Sequence, residues 1–110
     1  MDGKQGFLDQ IIHRLVAGFA PERIILFGSR ARGDNDDRSD IDLLVVGPLT
    51  GSRRARLVAM DRCLRGLKAP TDILLLTPEE FERDRHIPGT IARPAWLEGR
   101  VLYERPGAEY

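Results

Sequence analysis

The chain has 110 residues, of which 42% are hydrophobic and 31% are charged. These values exclude a disordered chain and are ordinary for a globular protein, so we expect residues 1–110 to form a single domain. Seventeen basic residues balance seventeen acidic ones, which leaves no net charge to hold the molecule on nucleic acid or a membrane surface. The one cysteine excludes an intramolecular disulfide, and the sequence contains no secretory signal or membrane-spanning run. We therefore expect a cytoplasmic protein.

The first two-thirds of the chain predict helices alternating with short apolar strands. Apolar residues at three- and four-residue spacing predict a helix that is closed by Pro21, and "RIILF" (Arg23 to Phe27) predicts the first strand. "DIDLLVV" predicts a second strand that is apolar on both faces and therefore central in a sheet covered by helices. Ser52 is expected to cap a helix from Arg53 to about Leu67. Its predicted buried face consists of Leu57, Val58, Met60, Leu64 and Leu67.

The last third of the chain predicts a third strand, two short helices and an edge strand. "TDILLL" (Thr71 to Leu76) is the strand, and "TPEE" after it combines a Thr cap, a Pro in the first turn and acids on the helix dipole. "ARPAWLEG" predicts a short helix that buries Trp96 and Leu97. The apolar run from Arg100 to Tyr103 predicts a strand at the edge of the sheet.

Two aspartates mark the start of the predicted second strand. Because side chains alternate along a strand, Asp40 and Asp42 are expected to point the same way, with Ile41 pointing opposite. Two carboxylates so close together repel each other unless a divalent cation lies between them or one of them stays protonated. Mg²⁺ suits such a site, because it takes one or two carboxylates and completes its shell with water and phosphate oxygens.

The end of the first predicted strand has the features of a phosphate-binding turn. Gly28 allows a ligand to approach the backbone closely, and Ser29 can cap a following helix whose N-terminus favours anions. Asp72, at the polar start of the third strand, could complete a two-metal site if that strand lies beside the second. The combination indicates a nucleoside triphosphate bound with Mg²⁺. A Walker-type ATPase is excluded, because the chain lacks G-x-x-x-x-G-K-[ST].

"FGS", ten residues and then "DIDL" resemble the signature of the minimal nucleotidyltransferases of the DNA polymerase beta superfamily. The resemblance extends from "ERIILFGSRARG" through "LTPEEFE" to "EGRVLYE". It implies the polymerase-beta-like nucleotidyltransferase fold, an α/β (α+β) domain. In that fold a small mixed sheet of three core strands plus an edge strand is flanked by helices.

The resemblance also implies a reaction and a set of site residues. Asp40 and Asp42 would hold two Mg²⁺ ions, and Asp72 would ligate the catalytic ion near the attacking hydroxyl. Gly28 and Ser29 would hold the outer phosphates of ATP, and Arg30 and Arg32 are expected to stabilise phosphate charge. The enzyme would transfer a nucleoside monophosphate, with AMP from ATP as the expected group, and release pyrophosphate.

The acceptor is expected to come from another molecule, since larger relatives attach a helical acceptor-binding domain that this chain does not contain. Stand-alone domains of this kind resemble the antitoxins that attach AMP to a tyrosine of a HEPN-type ribonuclease toxin. Two alternatives remain open at this point: an antitoxin that neutralises its partner by binding alone, and an enzyme that modifies a small molecule.

The other polar residues favour structural roles. His13 and His86 have no companion at metal-ligand spacing, and Cys63 is expected to be a small core residue. Arg53, Arg54 and Arg56 are predicted to form a solvated helix face, because few aromatic residues lie near them for stacking on bases.

Overall fold

The computed structural model describes residues 3–28, 41–67 and 71–107. Its helices are α1 (Gly3–Phe19), α2 (Arg53–Cys63), α3 (Pro78–Asp84) and α4 (Ala92–Glu98). Its strands are β1 (Arg23–Phe27), β2 (Ile41–Val46), β3 (Thr71–Leu76) and β4 (Arg100–Glu104).

The strands form one mixed sheet in the order β3-β2-β1-β4. Strand β2 pairs parallel to β3 and antiparallel to β1, and β1 pairs antiparallel to β4. The central position of β2 follows from its composition, because only a strand covered on both faces can bury an almost uninterrupted apolar run. The expected α/β architecture, with three core strands and β4 at an edge, is confirmed.

The two faces of the sheet carry separate helix pairs because side chains alternate along each strand. Ile41, Leu43 and Val45 of β2 face α1 and α2, where Ile11, Leu15 and Met60 complete one core cluster. Leu44 and Val46 face the other way and pack with Phe81 of α3 and with α4. Asp42 lies on this second face, because it is two positions from Leu44 on β2 and side chains alternate along a strand.

The short helix α4 is where the sequence predicts, but the burial of Trp96 and Leu97 was wrong. Trp96 is 37% exposed and Leu97 is 61% exposed, whereas Ala92 and Ala95 are buried against the sheet. The helix runs so close to β1 that only small side chains fit beneath it. Trp96 instead lies under the guanidinium group of Arg85, 4.3 Å from its ring centroid.

Helix α2 ends earlier than predicted, at Cys63 instead of about Leu67. The chain leaves the helix in a turn that contains Gly66 at φ 92°, a left-handed conformation that glycine adopts without strain. Arg14 of α1 donates to the carbonyl oxygens of Cys63 and Arg65, at 3.2 and 2.9 Å, and so satisfies backbone groups at this end. Val58 was wrongly placed on the buried face and is 44% exposed.

The start of α3 forms as predicted. Thr77 accepts from the backbone N–H of Glu80, and the Glu80 carboxylate accepts from the backbone N–H of Thr77 at 2.9 Å. This reciprocal pair is a capping box, which satisfies two backbone donors at the helix start. Within the three described ranges, no helix combines the length and the apolar character needed to cross a membrane.

Candidate nucleotide and metal site

The turn after β1 lies directly against a carboxylate. Gly28 has φ 77°, in the left-handed region that favours glycine. A Cβ atom at this position would lie 2.5 Å from Oδ2 of Asp42, so the missing side chain leaves room for the carboxylate as well as for the backbone conformation. Asp42, one of the two aspartates predicted at the start of the second strand, therefore lies against the glycine turn.

Asp42 and Asp72 occupy paired positions on neighbouring strands. In the parallel ladder between β2 and β3, Asp42 is the partner of Asp72. Paired residues point to the same face, and neighbouring strands lie about 4.8 Å apart. Asp42 is half-buried and Asp72 is exposed, so the pair lies at the rim of the sheet and is open to solvent. The predicted adjacency of the second and third strands is therefore confirmed.

Phe27 extends this row on the other side. It is the antiparallel partner of Asp42 and packs partly buried against the cluster formed with α3 and α4. The row Phe27, Asp42, Asp72 thus presents an apolar wall beside two carboxylates. Sequence reasoning missed Phe27, because the long connection between β1 and β2 leaves their register open.

Four of the predicted site residues, Ser29, Arg30, Arg32 and Asp40, lie outside the described residues. Their roles stay predictions. Within the described ranges, no group of three or more His, Cys, Asp and Glu side chains comes together as a metal site. The described acidic part of the site therefore consists of Asp42 and Asp72.

The two carboxylates have the chemistry that a hard divalent cation requires. They supply oxygen ligands, and their mutual repulsion is relieved by a positive charge between them. The missing side chain at Gly28 leaves room for the Asp42 carboxylate itself, since a Cβ there would lie 2.5 Å from its Oδ2. The donor set therefore fits Mg²⁺ held by two carboxylates, with the remaining positions of its shell left for water and phosphate oxygens.

The family model described as "Nucleotidyltransferase domain" matches residues 8–102 of this chain. The chain belongs to the nucleotidyltransferase domain family. The resemblance inferred from "FGS" and "DIDL" is thus confirmed at the level of the family.

Similar proteins agree with this assignment. A protein of Methanocaldococcus jannaschii, named "Putative protein adenylyltransferase", is 37% identical over 83 residues, which cover 74% of this chain and 78% of that protein. A crystal structure of "a putative nucleotidyltransferase" from Sulfolobus solfataricus superposes with a TM-score of 0.64 at 26% identity, covering 96% of this chain and 84% of that chain. The crystal structure of a toxin-antitoxin with AMP-PNP shares the fold, with a TM-score of 0.64 at 21% identity and coverage of 89% and 73%.

The remaining polar residues have structural surroundings. His13 and His86 are exposed, and Cys63 is half-buried against the core. Burial raises the pKa of the Cys63 thiol above its ordinary value, against the opposing charge of Arg14, so the thiol is not activated.

Two of the three arginines predicted to form a solvated face of α2 make contacts within the fold. Arg53 pairs with Glu80 of α3, and the guanidinium group of Arg56 lies 4.9 Å from the ring centroid of Phe19. Arg54 is exposed. This part of α2 is therefore only partly the solvated face that the sequence predicts.

Proposed function

We propose that this nucleotidyltransferase moves AMP from ATP to a tyrosine of a HEPN-type toxin and thereby acts as its antitoxin. The observation that carries the proposal is the row formed by Asp42 and Asp72 beside the Gly28 turn. The relative from M. jannaschii, with its name of protein adenylyltransferase, supports a protein acceptor. The toxin-antitoxin structure supports only the fold, since its identity is 21%. The proposal includes a cytoplasmic location, where ATP is available as the donor.

Each site residue has a chemical role in this proposal. Asp42, Asp72 and Asp40 would hold two Mg²⁺ ions, which supply positive charge that stabilises the phosphates as charge develops on them. Gly28 lets the outer phosphates approach the backbone, and Ser29, Arg30 and Arg32 contribute hydrogen bonds and charge to them. Asp72 would ligate the ion nearest the attacking hydroxyl. The acceptor hydroxyl gives its proton to solvent water and its oxygen bonds to the alpha phosphorus, the bond from that phosphorus to the bridging oxygen breaks, and pyrophosphate leaves.

A second candidate function is neutralisation by binding alone. Several large apolar side chains are exposed around α4, among them Ile87 at 44%, Ile91 at 49% and Leu97 at 61%. Aliphatic surface of this kind is suited to a protein partner. In this alternative the acids play no part, and the complex itself blocks the toxin.

The test is label transfer from alpha-labelled ATP to the protein encoded by the gene adjacent to this one, with the two proteins co-expressed. Asp42→Asn removes one charge from the pair and should reduce transfer at least about a hundredfold, because metal-held charge contributes several kcal/mol and 1.4 kcal/mol is tenfold in rate. Asp61→Asn makes the same chemical change on the exposed face of α2 and should leave transfer unchanged.

The two candidates give opposite results with the same variant. If Asp42→Asn labels the partner as fast as wild type, the enzymatic proposal is wrong. If Asp42→Asn labels nothing but still blocks the partner's ribonuclease activity at equimolar dose, neutralisation by binding is correct. Circular dichroism of both variants checks that each is folded.

A further inference from the structure

Strand β3 has a free edge among the described residues. It pairs with β2 on one side, where the N–H of Gly47 donates to the carbonyl oxygen of Leu76 at 3.0 Å. Backbone groups of successive residues point to alternate sides of a strand. Leu76 and Leu74 therefore direct their N–H and C=O groups toward β2, while Ile73 and Leu75 direct theirs toward the open edge.

An apolar cleft of about 380 Å³ lies over this edge. Its aliphatic lining comes from β2, β3, α2 and α4 and from the residue before α4: Leu44, Leu57, Leu74, Leu75, Leu76, Ile91 and Ala92. The two charged residues in the lining already have partners, Arg53 with Glu80 and Asp84 with Arg83. An apolar side chain can therefore enter the cleft without leaving a charge unpaired.

From Ile73 to Leu76 this edge lacks the devices that protect edge strands, and the one charged residue of β3, Asp72, belongs to the proposed site. Natural proteins shield open strand edges with charged residues, prolines or bulges, because such edges otherwise pair with other chains. Here Ile73, Leu74 and Leu76 are only half-buried, and the cleft beside them is aliphatic. The edge has the properties of a surface that binds an extended segment by strand addition.

The cleft and the carboxylates of Asp42 and Asp72 are in register along β3. Leu74 follows Asp72 by two positions, so both residues share a face and lie about 6.6 Å apart along the strand. A segment paired to the open edge would place one side chain opposite Leu74, in the cleft. The side chain two positions along would lie opposite Asp72, beside the carboxylates.

We propose that the open edge of β3 binds an extended segment of the protein acceptor as an added strand. A large apolar side chain of that segment fills the cleft, and the hydroxyl residue two positions away lies beside Asp72. There its oxygen bonds to the alpha phosphorus of ATP and its proton passes to solvent water, while the bond to the pyrophosphate leaving group breaks. This inference rests on the proposed function, because it specifies how that acceptor is recognised.

Synthetic octapeptides test the register. In two spaced peptides, one residue separates Tyr from Leu: one contains Tyr-Thr-Leu and the other Leu-Thr-Tyr, each flanked by Thr and Lys residues. Two adjacent peptides have the same composition, but their Tyr and Leu are neighbours in the sequence. At millimolar peptide, amide hydrogen exchange measured by NMR should slow at least tenfold at Ile73 and Leu75. The Leu74 amide, which faces β2, should not change. One of the spaced peptides should also be labelled from alpha-labelled ATP at least tenfold faster than the adjacent ones, and its order gives the direction of the added strand.

Ile73→Pro tests the edge in the protein itself. Proline is tolerated on an edge strand where the lost N–H points away from the sheet, so the ladder to β2 is kept. Labelling of the spaced peptide should fall at least tenfold, whereas Ile73→Ala, which removes the side chain but keeps the N–H, should retain at least a third of it.

Several results would overturn the inference. These are unchanged exchange at Ile73 and Leu75 with every peptide, equal effects of both spacings, and wild-type labelling by Ile73→Pro. A free protein that is a dimer with these amides already protected would also overturn it, because a second copy would then occupy the edge. Failure of the proposed function looks different: peptides would protect the edge, but neither they nor the partner would be labelled.

Discussion

Replacing Gly28 by alanine should damage the site far more than the fold. The added Cβ would lie 2.5 Å from Oδ2 of Asp42, whereas ordinary contact begins near 3.4 Å. The carboxylate must therefore move by about 0.9 Å, and a misplacement of about 1 Å in a catalytic site can cost roughly a hundredfold in rate. The atom that moves is the end of a side chain, so the clash itself should cost little stability.

Gly51→Ala is the matched control. Gly51 has φ 74°, close to the 77° of Gly28, but a Cβ atom there would meet nothing within 4 Å. Both substitutions force alanine into the left-handed region, which costs about 1 kcal/mol and lowers the melting temperature by roughly 4–8 °C in a domain of this size. Only Gly28→Ala adds the displacement of Asp42.

Two measurements separate these effects: thermal unfolding followed by circular dichroism, and AMP transfer from alpha-labelled ATP to the co-expressed partner. We expect similar melting temperatures for the two variants and about a hundredfold slower transfer by Gly28→Ala alone. Equal transfer rates for Gly28→Ala and Gly51→Ala would show that the contact between Gly28 and Asp42 has no part in the reaction.

Two further predictions concern stability. Gly99→Ala would bring a Cβ within 2.6 Å of the Ile25 side chain and against the carbonyl oxygen of Ala95, so α4 must shift; we expect a loss of about 1–3 kcal/mol in urea unfolding, and an unchanged midpoint would contradict it. The bond from the Thr77 N–H, with further help from Arg53, lowers the pKa of Glu80 below its ordinary 4.5. The ionised carboxylate therefore stabilises the fold above about pH 4.5, and this stabilisation disappears as the pH falls through the lowered pKa. Glu80→Gln should be less stable than wild type at neutral pH and equal to it in strong acid, so a constant difference across the titration would refute this assignment.

The strands could be predicted from the sequence because their signals are local. Strand β3 is the apolar run Ile73 to Leu76 with a polar start, it is bounded in the sequence by Pro70 and by Thr77-Pro78, and its observed bounds match the prediction. The row that joins Phe27 to Asp42 could not be predicted, because it depends on register across a long connection. Nor could the contact of Gly28 with Asp42, since the sequence shows a flexible turn but not what lies beside it.

The errors have a common physical cause. Trp96 and Leu97 were assigned to the core because large apolar residues usually lie there. The distance between α4 and β1 decides otherwise, since Gly99 and Ala95 sit so near Ile25 that a larger side chain has no room. The guanidinium group of Arg85 instead lies over the ring of Trp96, and that of Arg23 lies 5.8 Å from the ring centroid. Composition alone does not reveal such close approach.

In the proposed reaction Asp42 and Asp72 together hold a divalent cation beside the Gly28 turn. The most direct measurement is anomalous scattering from Mn²⁺ in crystals grown with a non-hydrolysable ATP analogue. We expect a manganese peak within bonding distance of carboxylate oxygens of both residues, with a phosphate oxygen of the analogue in the same coordination shell. A manganese peak elsewhere, or an Asp72 carboxylate turned away from it, would contradict the account.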